Sequence, residues 1–240
     1  DIALYKVKDS GKDNFCFFDQ KMAEKVNDSL TLISDLHSAL PQKQLQLLFQ
    51  PQFNLTTGKV IGAEALIRWH HPSRGIIQPA KFIPLAERSG LIGDIGSWII
   101  NHACAVCARW IHEGQESENF VMSVNISPIQ VKRENLAEMV SNRLEKFDLK
   151  GRNLELELPE PLFLDESTEV KNELAKLKNS GVRLSIDDFG SGFSNLCDIM
   201  NFDIARIKID RTFLRNISEN KPNRAIVHAI IKMADSLAIG

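Results

Sequence analysis

The sequence predicts an α/β protein, a TIM-like (β/α) barrel whose first strand is antiparallel to the second. From about residue 45 onward, short apolar runs typical of buried strands alternate with amphipathic segments of helix length. A short loop containing Thr56, Thr57 and Gly58 joins the first two runs, which suits a hairpin. The later runs are separated by whole helices, so those strands should be parallel with right-handed crossovers.

Six strands are predicted from runs of apolar, β-branched and aromatic residues. In chain order they cover residues 47–53, 60–67, 120–126, 154–158, 182–186 and 205–209. The last four should be parallel to the second strand. Because parallel strands point the same way, their C-terminal ends should meet on one rim of the barrel.

Helical periodicity marks the segments between the strands. A polar connector over residues 20–41 has apolar residues every three or four positions, and residues 136–147 and 170–177 show the same spacing. The last helix has Pro222 in its first turn and is predicted to continue to the final residue, Gly240. These segments supply the helices that a barrel needs between its parallel strands.

Composition narrows the class of protein. With 240 residues, 43% hydrophobic and 25% charged, the chain can bury a full core, and no apolar run approaches the length of a membrane-spanning helix. A net charge of −2 provides no basic field for duplex nucleic acid. The start at Asp1, without Met or a signal-peptide pattern, predicts that the chain is part of a longer protein.

The cysteines predict a reducing, cytoplasmic environment because their spacing suggests no disulfide framework. Cys104 and Cys107 form a Cys-x-x-Cys pair, but no second pair or suitably spaced histidine pair completes a zinc site. Both lie in a helical pattern. We therefore predict that they pack in the core as small apolar side chains.

Oxygen-bearing side chains occur at or near the C-terminal ends of four predicted strands. They are Glu64, Asn125, Glu157 and the pair Asp187 and Asp188, and Lys208 adds a cation on the next strand. A single acid at a strand end is usually a turn residue, but four in succession with a lysine indicate a site on the shared rim.

Carboxylate and amide oxygens are hard ligands, which suit Mg²⁺ or Mn²⁺. The adjacent carboxylates of Asp187 and Asp188 could serve two ions about 3.5–4 Å apart, the spacing used in phosphoester hydrolysis. The residues alone therefore predict a hard-metal site, with a two-metal arrangement as one form of it.

Several motifs along the chain resemble the EAL family of bacterial cyclic di-GMP phosphodiesterases. The resemblance covers roughly residues 46–240 and is carried by an ordered series: Phe49-Gln50-Pro51, Gly62-Ala63-Glu64-Ala65-Leu66-Ile67-Arg68-Trp69, Phe82-Ile83-Pro84, Val124-Asn125-Ile126-Ser127, Asp187-Asp188-Phe189-Gly190 and Lys208-Ile209-Asp210. Residues 1–19 resemble the end of a GGDEF domain. The implied organisation is a GGDEF remnant at 1–19, a helical linker at 20–41 and an EAL domain at 42–240.

The resemblance implies metal-dependent hydrolysis of cyclic di-GMP to linear pGpG, with two Mg²⁺ or Mn²⁺ ions. It implies that the metal ligands are Glu64, Asn125, Glu157, Asp187 and Asp188, and that Lys208 holds the attacking water. Glu160 would brace the loop after Asp188. The implied substrate-binding residues are Gln50, Arg68 and Asp210. Expected partners are cyclic di-GMP, an upstream GGDEF domain and a second copy of the chain in a homodimer.

Two departures from the family pattern affect these expectations. Pro159 replaces the usual threonine between Glu157 and Glu160, which removes a hydroxyl and a backbone donor and puts the position of Glu160 in doubt. Only six of the eight strands of the family barrel are found before Gly240, so the last two are expected to be missing from this chain.

Three classes of function remain open at this point. A phosphodiesterase is favoured because the predicted metal ligands are present. A catalytically inactive receptor for cyclic di-GMP is favoured instead by Pro159 and the missing strands. A scaffold that only dimerises is opposed by Gln50, Arg68 and Lys208, which the resemblance assigns to the reaction or the ligand.

Overall fold

The computed structural model describes residues 20–133, 135–190, 202 and 204–240, and for residues 20–23, 25 and 133 it describes only the backbone. The predicted GGDEF remnant at 1–19 lies outside the described residues. The chain divides into two compact units, one containing the chain up to residue 46 with residues 68–91, and one containing residues 47–67 and 92–240.

The predicted hairpin is formed by β1 (Leu45–Phe53) and β2 (Val60–His71), which are antiparallel neighbours. Asn54 begins the turn, where its Oδ1 accepts hydrogen bonds from the backbone N–H groups of Thr56 at 3.1 Å and Thr57 at 2.9 Å. Gly58 follows with φ at 67°, a left-handed conformation that glycine adopts without strain. Local turn chemistry thus determines this connection.

The first unit contains α1 (Gln20–Ala39), a short strand β3 (Gly75–Ile77) and α2 (Pro79–Ser89). The predicted linker helix is present, and its residues Leu32 and Leu36 are buried. β3 pairs antiparallel with the end of β2 and was not predicted. Trp69 is fully buried in this unit, with its ring edge-on to Phe82.

The second unit is built on the sheet. Its parallel strands are β4 (Val121–Asn125), β5 (Leu154–Pro159), β6 (Arg183–Phe189) and β7 (Arg206–Ile209), and the order across the sheet is β1-β2-β4-β5-β6-β7. The pairs from β2–β4 to β6–β7 are all parallel. The predicted α/β class and the antiparallel first strand are therefore confirmed.

Helices follow the strands as predicted. They are α3 (Ile92–His112), α4 (Pro128–Arg133), α5 (Leu136–Lys146), α6 (Thr168–Asn179), α7 (Arg211–Leu214) and α8 (Lys221–Leu237), with 3-10 turns at Gly151–Asn153 and Glu160–Leu164. None of the described helices combines the length and the apolar character that crossing a bilayer requires.

The predicted end of the last helix was wrong. Helix α8 ends at Leu237 because Ala238 turns into the left-handed region, with φ at 55°. Gly240 instead pairs with β7: its N–H donates to the Ala205 carbonyl at 3.1 Å, and its own carbonyl accepts from the Ile207 N–H at 2.9 Å. Hydrogen bonding to the sheet edge replaces a further helical turn.

Alternation along the parallel strands separates the apolar core from a polar interior. On β5, Leu156 and Leu158 are fully buried on one face, while Glu155 and Glu157 lie on the other. Burial of each leucine contributes roughly 1.5–3 kcal/mol. The same alternation on β4 and β6 aligns polar side chains along the face that carries the candidate site.

Candidate active site

Strand register brings the predicted rim residues together. Asn125 is paired with Glu157 in the β4–β5 ladder, and Pro159 is paired with Asp187 in the β5–β6 ladder. Glu64 lies on β2, where its Oε1 accepts a hydrogen bond from Asn125 Nδ2 at 2.7 Å. Side chains 61 positions apart in the chain are therefore in direct contact.

Lys208 connects the carboxylates of three different strands. Its Nζ lies 2.5 Å from Glu157 Oε2, 3.0 Å from Asp187 Oδ1 and 3.4 Å from Glu64 Oε2. The contacts with Glu157 and Asp187 are short enough for charge-assisted hydrogen bonds, and the longer contact with Glu64 is an ion pair. One ammonium group thus lies among three of the residues predicted to bind metal.

The charges in this cluster are not balanced by Lys208 alone. Burial raises the pKa of Glu157 to about 8, and the neighbouring carboxylate of Glu64 adds to that rise although Lys208 opposes it. Burial acts to lower the pKa of Lys208, but the carboxylates of Glu157, Asp187 and Glu64 outweigh it and raise that pKa. The pKa shift of Lys208 thus reflects three carboxylates around one ammonium, whereas the shift of Glu157 comes mainly from its burial.

The donor set fits a hard divalent cation. Within the described residues no group of three or more His, Cys, Asp or Glu side chains is arranged so that it could hold a metal ion, and Lys208 lies among the carboxylates. However, Glu157 Oε1 is buried and has no hydrogen-bond partner in the part of the chain that the structure describes, so an acceptor oxygen is available there. Carboxylate and amide oxygens with excess negative charge are what Mg²⁺ and Mn²⁺ prefer.

Asp188 lies in an irregular part of β6, and the predicted end of this strand at residue 186 was too early. The strand continues to Phe189 through a register shift between Ile186 and Phe189, and Asp188 has φ at 51°. Burial raises the pKa of Asp188, and the carboxylates of Asp187 and Asp210 raise it further. A bulge therefore presents two adjacent carboxylates to the same region.

Glu160 is buried directly after Pro159, at the start of a 3-10 turn. Its Oε2 accepts a hydrogen bond from the Gly190 N–H at 2.8 Å. Gly190 has φ at 90°, a conformation that glycine tolerates. The proline therefore leaves Glu160 in contact with the segment that follows Asp188.

The three predicted substrate-binding residues lie on three different elements of the fold. Gln50 is exposed on β1, and Arg68 is half-buried on β2, in the first unit. Asp210 is the N-cap of α7, and its Oδ1 accepts hydrogen bonds from the Thr212 N–H and hydroxyl, each at 2.6 Å. Its carboxylate thus caps a helix, and its pKa is lowered by those hydrogen bonds.

The sequence patterns were not interpreted as predicting a second layer of polar side chains, which the structure shows on the same face of the sheet. Arg206 Nη1 donates to Glu155 Oε1 at 3.2 Å and to Gln52 Oε1 at 3.0 Å. Glu155 and Arg206 each lie two residues before a predicted site residue. Polar residues at this period of two were the signal that could have identified the layer.

Comparisons with known proteins identify the family of this chain. The model of the EAL domain family matches residues 33–240. The chain is 37% identical over 237 residues to the bifunctional diguanylate cyclase/cyclic di-GMP phosphodiesterase MucR of Pseudomonas aeruginosa, covering 99% of this chain and 34% of MucR. It is 32% identical over 237 residues to the cyclic di-GMP phosphodiesterase PdeR of Escherichia coli, covering 99% of this chain and 35% of PdeR.

A solved structure of the PaMucR phosphodiesterase in complex with c-di-GMP aligns with a TM-score of 0.82 at 36% identity, covering 87% of this chain and 84% of that one. The chain spans about a third of the length of the curated relatives described above. Sequence and structure together establish that this chain belongs to the EAL domain family.

Proposed function

We propose that this chain is a metal-dependent phosphodiesterase domain that hydrolyses cyclic di-GMP to linear pGpG in bacterial second-messenger signalling. The observation that carries the proposal is the cluster in which Lys208 contacts Glu64, Glu157 and Asp187. No described residue donates a hydrogen bond to Glu157 Oε1 in this cluster. The relatives named above as phosphodiesterases support the choice of substrate.

The residues that would hold Mg²⁺ or Mn²⁺ lie on four neighbouring strands: Glu64, Asn125, Glu157, Asp187 and Asp188. When bound there, the metal would activate water and neutralise charge on the phosphodiester. Asn125 already orients Glu64 through its 2.7 Å hydrogen bond.

In this proposal Lys208 also acts on the attacking water. Its ammonium donates to the carboxylates in the structure, and the same donors would hold the attacking water beside the phosphate. Glu160 would orient the segment after Asp188 through Gly190. Gln50 and Arg68 would bind the dinucleotide, Arg68 through a charge-assisted bond to a phosphate or a guanine edge.

A receptor that binds cyclic di-GMP without hydrolysing it is the second candidate. Pro159 favours it, because the proline lies beside Asp187 in the β5–β6 ladder and supplies neither a hydroxyl nor an N–H. In either case we expect the domain to act in the cytoplasm, behind a GGDEF domain in the longer protein.

Incubation of the chain with cyclic di-GMP and Mg²⁺ or Mn²⁺, with chromatographic detection of pGpG, tests the proposal. Turnover that is lost in Glu64→Gln and kept in Glu118→Gln, a change of an exposed carboxylate away from the site, would support the phosphodiesterase. Binding of cyclic di-GMP without pGpG would favour the receptor. Absence of both would rule out both functions.

A further inference from the structure

A layer of four polar side chains lies beneath the candidate site, and we refer to it as the lower layer. Three of its members lie two residues before a site residue on the same strand: Ser123 before Asn125, Glu155 before Glu157 and Arg206 before Lys208. Gln52, on the antiparallel strand β1, is the fourth. Because side chains alternate along a strand, these residues share a face with the site and lie one layer below it.

Arg206 is the centre of the lower layer. Its Nη1 donates to Glu155 Oε1 at 3.2 Å and to Gln52 Oε1 at 3.0 Å, so it links β7 to β5 and β1. Neither strand is next to β7 in the sheet, and β1 and β7 are at opposite ends of the strand order. The contact with Gln52 therefore crosses the interior of the curved sheet.

The remaining contacts complete the layer. Gln52 Nε2 donates to Ser123 Oγ at 3.3 Å, and Ser123 Oγ donates to Glu155 Oε1 at 3.4 Å. Gly62 makes room for this arrangement, because a Cβ there would lie 3.1 Å from Gln52 Oε1 and 2.5 Å from the Val121 carbonyl oxygen. The side chain of Gln52 thus extends past a position that has no side chain.

The backbone ladder between β6 and β7 is irregular at the position of Lys208. The β6–β7 register is regular at Ser185 with Arg206 and at Ile186 with Ile207, and then shifts before Phe189 pairs with Ile209. The bulge interrupts the ladder beside Lys208. Arg206 lies at the last regular part of the ladder, directly below the level of Lys208.

The charge of Arg206 is matched by a fully buried carboxylate. Glu155 has no exposed surface, and within the described residues its Oε2 has no hydrogen-bond partner. Loss of the guanidinium would leave this carboxylate buried without its cation, which is strongly unfavourable. The pair therefore restricts the position of β7 more tightly than neutral side chains would.

We propose that Arg206 and Glu155 are positioning residues, which hold β7 and β5 so that Lys208 and Glu157 meet in the site above. This inference rests on the proposed function, since it gives the pair a purpose in that site. Neither residue is expected to touch the substrate. Their effect should appear in turnover and in metal affinity, beyond their contribution to folding.

The test uses the full chain and four variants: Arg206→Met, Arg206→Lys, Glu155→Gln and the double variant Arg206→Met with Glu155→Gln. For each we would measure Tm, kcat and KM for cyclic di-GMP, and Mn²⁺ affinity without substrate. Arg206→Met should lower kcat or Mn²⁺ affinity by about 10- to 100-fold, the range found for groups that orient metal ligands. KM should stay within about twofold, and Arg206→Lys should recover part of the loss.

The double variant separates positioning from folding. It contains no unpaired buried charge, so its Tm should approach that of the wild type, while kcat and Mn²⁺ affinity stay low. The inference would be overturned if Arg206→Met or the double variant had the same kcat and Mn²⁺ affinity as the wild type. If the wild type binds Mn²⁺ but yields no pGpG, the proposed function fails while Mn²⁺ affinity still decides the role of the pair. A wild type that does neither would overturn both.

Discussion

The buried carboxylate of Glu160 accepts a hydrogen bond from the N–H of Gly190 at 2.8 Å, and so joins the end of β5 to the end of β6. This contact lies close in the chain to Asp187 and Asp188, and it forms with Pro159 in place. Pro159 therefore does not separate the two strand ends. The departure from the family pattern is thus compatible with the predicted role of Glu160.

Glu160→Ala should destabilise the chain and impair the site together. Loss of the acceptor leaves the Gly190 N–H unpaired, which costs about 1–3 kcal/mol in the free energy of unfolding. Turnover of cyclic di-GMP should fall by about 10- to 100-fold, as for other groups that orient metal ligands. Urea denaturation and steady-state kinetics measure the two effects.

Glu160→Gln is the matched control, because its amide oxygen can still accept from Gly190. It should recover most of the stability lost in the alanine variant. Equal stability of Glu160→Ala and the wild type would show that the hydrogen bond contributes nothing.

If the folded carboxylate cluster binds Mn²⁺ as proposed, the metal should stabilise the wild-type chain, because the unfolded chain has no such cluster. At a metal concentration of about 100 times Kd the gain is about 2.7 kcal/mol in the free energy of unfolding. Glu157→Gln should remove most of this gain, since Glu157 Oε1 is a buried acceptor that has no hydrogen-bond partner among the described residues. Thermal denaturation with Mn²⁺, and again with excess EDTA, checks this.

Glu118→Gln controls for the removal of one negative charge, because Glu118 is exposed and pairs with Lys150. It should keep the full increase in Tm. An equal Mn²⁺ response in Glu157→Gln and the wild type would place the metal elsewhere.

Gly62→Ala should disturb the interior of the sheet. The new Cβ would lie 2.5 Å from the backbone oxygen of Val121, which can move only if β4 moves. We expect a loss of about 1–3 kcal/mol from overpacking, and reduced turnover because Gln52 and Ser123 are displaced. Denaturant titration and a pGpG assay provide the measurements.

Gly114→Ala separates the two effects. Gly114 has φ at 69° and nothing within 4 Å of an added Cβ, so only backbone strain of about 1–2 kcal/mol is expected there. Turnover should be unchanged in this control. A Gly62→Ala variant with the stability and turnover of the wild type would contradict the close contact.

Cys104 and Cys107 should be unreactive in the folded chain. Both thiols are buried, and burial raises the pKa of each to about 12. In a variant with Cys16 and Cys197 replaced by serine, a disulfide reagent at pH 8 should label no thiol natively and two thiols in denaturant. Rapid native labelling would show that this part of α3 opens readily.

The same thiols give a pH dependence with a definite sign. Because the folded pKa lies above the ordinary value of 9.0, their contribution to stability is fully present below pH 9. It should decline as the pH rises from about 9 through 12. Denaturant titrations across this range, compared with a Cys104→Ala/Cys107→Ala variant, would measure the decline.

Local patterns in the sequence are enough to predict the order of strands and helices, the antiparallel first pair and the residues of the rim. These patterns are a period of two in strands, helical spacing between them, and turn residues such as Gly58. The rule that parallel strands end on one side of a barrel then predicts that Glu64 and Glu157 lie near each other, although 93 positions separate them in the chain.

Features that depend on register and curvature follow only from the folded chain. The bulge at Asp188, the early end of α8 and the pairing of β3 arise from hydrogen bonds to neighbouring strands or from local backbone turns that the periodicity does not reveal. Arg206 and Gln52 are 154 positions apart and meet because the sheet curves until its two ends face each other. No local pattern specifies that curvature, since it results from the packing of all the strands together.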